Sequence, residues 1–450
     1  MNMKGLEKFF VPIADALSKN KVLVAIRDGF ARAVPVVIVG SMFLLISNFP
    51  IKGWSEMIAS FAGEGWEKYF NAVTAATFDC YALLSVIGIA YAYAREKNVD
   101  RIASAMVALV VFLMITPMKH PAFVNADGKM FSGFAFSNLG TKGIFLAMIV
   151  AIISTEIFAF AVKKKLVIKL PEGVPPAVMD SFAALIPAGL SMLVFFFVNM
   201  LFVNTPYGNV HAFIYQVLQA PLVGLGKSQA FEVIYQFLGS LFWFFGIHGP
   251  SVTKTVFGPI HKALSLENYE LAKAGLPMTN VFTRAFSDFF CNFGGSGSTL
   301  GLVLMMSFIA KSKRLKTLGK MSLPAGIFNI NEPIIFGFPM VLNVNMAIPF
   351  ILCPVMNTII AQIATAVGFI PVTSGVQIAW TTPIFISGYL TTGSFNAVIL
   401  QFCMLLANMA VYYPFFRMQD NKYLEEEQRL ANETKKDELD ELSFDDLKLD

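Results

Sequence analysis

Charge is what this chain has least of. Asp, Glu, Lys and Arg make up 14% of its 450 residues, against roughly a quarter in a soluble globular protein. With 56% hydrophobic residues and 45 phenylalanines, that scarcity excludes an ordinary soluble domain. Cysteine is sparse as well: Cys80, Cys291, Cys353 and Cys403 stand apart in apolar surroundings without a CxxC pair. They read as small hydrophobes rather than disulfide, metal or redox groups. The four histidines lack metal-site spacing, and the phosphate-loop pattern GxxxxGK is missing. No metal and no cofactor are therefore expected. A cleavable leader is not visible either, because "MNMKGLEKFFVPIADALSKNKVL" is mixed and lacks a small-residue cleavage site. Its apolar positions suit one face of an interfacial helix.

What the chain does have is long apolar runs, many of them reaching the roughly 20 residues that cross a bilayer. An all-α polytopic membrane protein follows, with about ten membrane segments plus re-entrant hairpins and interfacial amphipathic helices. Spans are expected near Ala31–Phe49, Tyr69–Ala94, Ile102–Met118, Leu139–Val162 and Phe182–Val203. In the second half they are expected near Phe231–Ile247, Met346–Phe369 and Phe395–Phe416. Basic clusters fall in alternate connections: Lys19, Lys21 and Arg27; "REKNVDR" (95–101); "KKKLVIK" (163–169); and "KSKRLKTLGK" (311–320). By the positive-inside rule both termini are expected on the cytoplasmic side of the membrane. The 31 residues from Asp420 hold 12 acidic and 5 basic side chains, leaving 18 of 30 acidic and 29 of 34 basic groups to the rest. That excess marks membrane orientation and not nucleic-acid binding. The division expected is a scaffold half (1–206), a substrate half (207–418) and a charged, solvated or partly helical cytoplasmic tail (419–450).

The first half reads as regular spans, and "LPEGVPPAVMDS" (170–181) as a proline-rich connection that resists helix. Broken segments are expected only between about 247 and 394, and broken backbone at membrane depth must pack in protein or line a wet cavity. "FNINEPIIFGFP" (328–339) holds one carboxylate, Glu332, beside Asn329, Asn331 and two prolines. Pro333 suits the start of a new helix, which would put Glu332 at the positive end of a short half-helix closed by Gly337 and Pro339. An acid at such a place either serves a ligand or caps its own break. His248, in "FWFFGIHGP", sits where glycine and proline stop a span sharply, and is either a site imidazole or a packed histidine. "NFGGSGSTLG" brings Asn292, Gly294, Gly295 and Ser296 into a glycine-rich turn, either a phosphate cradle or a close-packed re-entrant turn that a sugar approaches. Trp243 and Trp380 flank broken segments; indoles stack on sugar rings, or anchor at interfaces. His211 and His261 look peripheral and His120 looks like an outer loop. Glu156 is placed to pair with the lysines that follow its span. Carboxylate, imidazole, amides and indoles suit a neutral polyhydroxylated ligand.

"FFGIHGP", "GGSGSTLGL", "INEPIIFGFP" and "KLPEGVPPAV" together resemble the membrane component (enzyme IIC) of the bacterial phosphoenolpyruvate-dependent sugar phosphotransferase system, lactose/cellobiose/diacetylchitobiose branch, over residues 5 to 418. The resemblance implies a homodimer in the bacterial cytoplasmic (inner) membrane, its first half (1–206) forming much of the dimer contact, with one β-linked disaccharide per protomer carried by alternating access. Glu332 and His248 match the residues placed near the sugar's C6 hydroxyl, and Trp243 and Trp380 fall where the family lines its pocket. It also implies that a separate enzyme IIB supplies phosphate from a phosphocysteine, no such domain being expected after residue 420. A proton-coupled symporter that delivers unmodified sugar is the alternative, and a sugar sensor signalling through its tail is a more distant one.

Overall fold

A computed structural model describes residues 3–47, 53–118, 123–125, 128–168, 171, 175–338 and 340–445. His120, Pro339 and most of the 169–174 stretch lie outside the described residues. Helices joined by turns and irregular stretches make up the described chain, with one isolated bridge between Val124 and Met130.

Five helices are long and apolar enough to cross a bilayer: Lys21–Ser47, Thr141–Lys163, Ser181–Val203, Val344–Ala366 and Phe395–Glu433. Glu67–Asp79 and Tyr81–Lys97 make a sixth if taken as one span, but they are bent by 44°. The remaining apolar helices are shorter, such as Arg101–Ile115 and Leu300–Ile309. Against the roughly ten membrane segments expected, the described residues give five continuous spans, one bent pair and shorter apolar helices.

In the first half, Ile26, Val86, Ile89, Val111, Phe112, Val150 and Phe158 form one apolar core between the Lys21–Ser47, Tyr81–Lys97, Arg101–Ile115 and Ile144–Lys163 helices. The contacts are close because small residues meet: a Cβ on Gly29 would lie 2.4 Å from the Ile89 backbone, and one on Gly88 2.5 Å from the Gly29 carbonyl oxygen. A second set of cores ties Trp243, Val303, Ile334, Phe350 and Tyr412 together, and Phe286, Phe290, Leu300 and Met404.

Four expectations need correction. Breaks are not confined to 247–394: the first-half segment 67–97 carries a π turn at Ala75–Asp79, where buried Asp79 pairs with Lys273 and Phe78 stacks on Tyr269 at 4.6 Å. Tertiary partners from the second half hold that irregular turn. Conversely, the polar stretch after His248 is not broken but forms one 25-residue helix, Gly249–Lys273. Its polar side chains face protein instead of lipid, with His261, Asn268 and Ser265 all buried. Pro176 does not stop helix but opens one, Pro176–Ala183, since a first-turn proline sacrifices no hydrogen bond. Glu156 pairs with Lys97 at 2.5 Å and with Tyr93, because Lys163 lies nearly two turns farther along its own helix, about 10 Å away.

The C-terminal helix Phe395–Asp445 runs through residue 419 without interruption. Asp420, fully buried, accepts hydrogen bonds from the Lys311 and Ser312 amides and the Ser312 hydroxyl. Glu427 accepts from the Lys313 and Arg314 amides. Both carboxylates thereby satisfy orphan donors at the start of the Lys313–Ile327 helix.

Candidate sugar site between broken helices

The site begins with a chain reversal. The Gln229–Phe244 helix ends with Gly246 at φ +79°. The Gly246 amide bonds to the Trp243 carbonyl and the Ile247 amide to that of Phe242, each at 2.9 Å, the pairing by which a left-handed glycine closes a helix. Two residues later the Gly249–Lys273 helix starts, and His248 is its N-cap. Gly249 is required by proximity: a Cβ there would sit 1.8 Å from the Gly239 carbonyl oxygen on the preceding helix. "FFGIHGP" is therefore a tight antiparallel helix corner with an imidazole at its apex.

The cap decides the imidazole's tautomer. The Ser251 amide donates to His248 Nδ1 at 3.1 Å, and Ser251 Oγ lies 2.7 Å from the same nitrogen. Nδ1 is thus an acceptor, so a neutral ring carries its proton on Nε2. Nε2 faces Glu332 Oε1 at 4.0 Å, beyond direct hydrogen-bond reach. Trp243 packs on the imidazole with ring centroids 4.7 Å apart.

Glu332 opens the six-residue helix Glu332–Gly337, with Asn331 before it and Pro333 in its first turn. That is the half-helix expected from the sequence, and it ends at Gly337 when the Phe338 amide bonds back to Ile334. Its side chain is half-exposed, facing a cavity of about 220 Å³. Trp243, His248, Asn292, Gly295, Ser296, Asn329, Asn331, Glu332 and Trp380 all line that cavity. Gly294 does not; it stands behind the wall, donating its amide to Asn329 Oδ1 at 2.9 Å.

The amides hold the walls together. Asn329 donates to the carbonyls of Trp380 and Thr382 at 2.9 and 3.0 Å, so one side chain joins the 294, 329 and 380 segments. Asn331 donates to the Ser296 carbonyl at 2.6 Å. Gly295, at φ +92°, leaves no room for a Cβ, which would fall 2.6 Å from Asn331 Cγ. From below, Tyr412 donates to the Gly297 carbonyl at 2.7 Å, and Asn357 and Asn408 both donate to Ser298 Oγ. The glycine run is a close-packed re-entrant turn, with Gly295 and Ser296 at the cavity surface.

Sequence reasoning missed Gln236, Ser240, Thr253, Lys254 and Asp288, which also line the cavity. A signal existed: Glu232, Gln236, Gly239 and Trp243 recur at three- and four-residue spacing, one face of a helix. Beneath that face lies a fully buried hub. Glu232 accepts from Gln236 at 2.7 Å, from Ser287, and meets His261 Nε2 at 2.7 Å. His261, read as peripheral, is therefore internal. Gln236 in turn accepts from Asn292 at 2.8 Å, so the hub props two cavity residues.

The family model "Phosphotransferase system, EIIC" matches residues 27–354. The cellobiose-specific EIIC component of Geobacillus stearothermophilus is 40% identical over 95% of this chain and 96% of its own length. The lichenan permease IIC component of Bacillus subtilis (strain 168) is 37% identical over 94% and 95%. Among solved structures, the transporter ChbC, the IIC component from the N,N'-diacetylchitobiose-specific phosphotransferase system, matches with a TM-score of 0.90 at 40% identity, covering 94% of this chain and 99% of that one. The chain belongs to the phosphotransferase-system EIIC family and is an integral membrane permease for sugar.

Proposed function

We propose that this permease binds a β-linked disaccharide of the cellobiose or diacetylchitobiose type, and presents its C6 hydroxyl to the phosphocysteine of a separate EIIB partner. The relatives' substrates, named in cellobiose- and diacetylchitobiose-specific components, support the sugar class. The observation that carries the chemistry is the 4.0 Å gap between His248 Nε2 and Glu332 Oε1. A hydroxyl oxygen at the apex of that gap accepts from Nε2–H and donates to the carboxylate, with both contacts at normal length. As the oxygen attacks phosphorus, its proton passes to Glu332, the O–P bond forms and the S–P bond breaks, and the thiolate leaves with the partner. A hydroxyl is a weak nucleophile, and a positioned base typically contributes 10²–10⁴-fold. Trp243 lines the cavity, and its buried Nε1–H has no acceptor among the described residues, so a small shift of the indole would let a sugar hydroxyl accept from it. Trp380, half-exposed on the opposite segment, offers a stacking face.

The wider reading is a homodimer in the bacterial cytoplasmic membrane with both termini inside, the second half carrying sugar between two faces against a first-half scaffold. Basic groups at 19–27, 95–101 and 311–320 support the orientation. The broad apolar face left open on the Leu185–Val203 helix, including Leu193, Phe196, Phe197 and Leu201, supports contact with lipid or a second protomer.

The deciding experiment supplies labelled disaccharide to vesicles holding the chain, with and without phosphoenolpyruvate and the cognate phosphoryl carriers. Accumulation of sugar phosphate that requires both is expected. Accumulation of unmodified sugar driven by a pH gradient would instead establish a symporter. Glu332→Gln should keep sugar binding and lose phosphorylation by at least about 10²-fold; phosphorylation at the unaltered rate would remove Glu332 from the base's role.

A further inference from the structure

Next to the sugar cavity lies a second one of about 450 Å³, and the two share Lys254, Asp288 and Trp380. Its charged lining is one-sided: Arg27, Lys254, Lys262 and Arg284 face a single carboxylate, Asp288. Arg284 occupies that carboxylate at 2.7 Å. Arg27 bonds to Asp28 at 2.8 Å, but Asp28 also holds Arg95 at 2.7 Å. Among the described residues, neither Lys254 nor Lys262 has a carboxylate partner. Lys262 is 9% exposed, donates to the neutral Gln377 amide and lies 3.9 Å from the Tyr81 ring centroid. Withdrawn cations without a counter-charge are costly, and an anion among them relieves the cost.

The cations are also arranged along a path. Lys254, Gly258 and Lys262 recur every four residues on the helix that His248 caps, a row of about 12 Å leading away from the reacting end of the sugar cavity. Nothing lies within 4 Å of where a Gly258 side chain would begin, so the row borders open space. Phosphoryl transfer turns a neutral hydroxyl into a phosphate monoester beside the Glu332 carboxyl group. Once Glu332 releases its proton the two repel, while the cationic row attracts the ester.

We propose that this second cavity is an anion subsite that receives the phosphate monoester of the sugar product as it leaves the Glu332–His248 site. The inference rests on the phosphotransfer reading above. The phosphate of an anionic lipid headgroup or free inorganic phosphate has the same chemistry, and the test separates them. The full chain, purified into phosphatidylcholine nanodiscs, is titrated with cellobiose and with N,N'-diacetylchitobiose, each with and without a phosphate on the C6 oxygen. Lys262→Met and Arg27→Gln line only the second cavity; Arg27→Gln leaves Asp28 its Arg95 partner and carries the test if Lys262→Met fails to fold. Both variants should weaken ester binding about tenfold, roughly the loss of one charge-assisted contact, and leave the uncharged sugar's affinity unchanged. Inorganic phosphate and phosphatidylglycerol in the nanodisc should compete with the ester only weakly. Unchanged ester affinity in a folded variant, or complete displacement by either competitor, overturns the subsite. Failure of both uncharged sugars to bind the parent protein overturns the permease reading and this one with it.

Discussion

Trp243 lines the candidate sugar cavity, and its indole N–H has no acceptor among the described residues. Replacing it by phenylalanine keeps an aromatic face and removes the donor. Trp243→Phe should weaken disaccharide binding about two- to tenfold, the value of one neutral hydrogen bond, in a calorimetric or fluorescence titration. Unchanged affinity would mean that the N–H contributes nothing to the sugar. Glu232 plays a different part, since it lies outside the cavity and supports Gln236, Ser287 and His261 at once. Glu232→Ala would leave three buried polar groups without their acceptor. It should cost about 3–5 kcal/mol of stability, since each buried polar group left unsatisfied costs roughly 1–3 kcal/mol, visible as a lowered melting temperature in detergent. Of these two, Trp243 was legible beforehand, because it adjoins a visible helix stop. Glu232 was visible as a charge in an apolar run, but its partners come from residues 29 and 55 positions away, a distance no local pattern encodes.

Elements show the same division. The corner at 244–250 and the half-helix at 332–337 could be read from glycine and proline because backbone stereochemistry is local: left-handed φ favours glycine, and proline opens helices. Gly295 tests that reading at the scale of the turn. Gly295→Ala would force a side chain onto Asn331 and into a positive-φ backbone, displacing the turn that Asn329 and Asn331 secure. Sugar binding should fall below detection while the first-half core, which shares no residue with the turn, keeps the protein expressed and membrane-inserted. Wild-type affinity in Gly295→Ala would show that the turn tolerates the shift. The Gly249–Lys273 helix shows where local reading stops. Its polar composition argued against a simple span because hydropathy assumes a lipid neighbour, whereas this helix has protein around most of its length.

At the scale of the whole molecule, the second half is joined to the first through Asp79–Lys273, Phe78 on Tyr269, and the Gln377 amide on Ser41 Oγ at 3.0 Å. The charged C-terminal segment is tied in as well, through Asp420 and Glu427. A chain ended after Glu433 keeps both carboxylates and should transport normally. One ended at Gln419 loses the two carboxylates that hold the Lys311, Ser312, Lys313 and Arg314 amides and should express poorly or lose uptake, measured per molecule in the membrane. Equal uptake by the two truncations would show that the docking is dispensable.

Sequence alone determined that the chain is an all-helical membrane protein and that Glu332 and His248 stand at helix ends, because burial in lipid and backbone stereochemistry depend on composition and near neighbours; its four motifs added the resemblance to sugar permeases. Tertiary structure decided that those two ends meet across 4.0 Å, that the asparagines act as clamps, and that four cations share a cavity beside them. Those are relations between segments tens to hundreds of residues apart, set by how helices pack and by which polar groups must find partners once water is excluded.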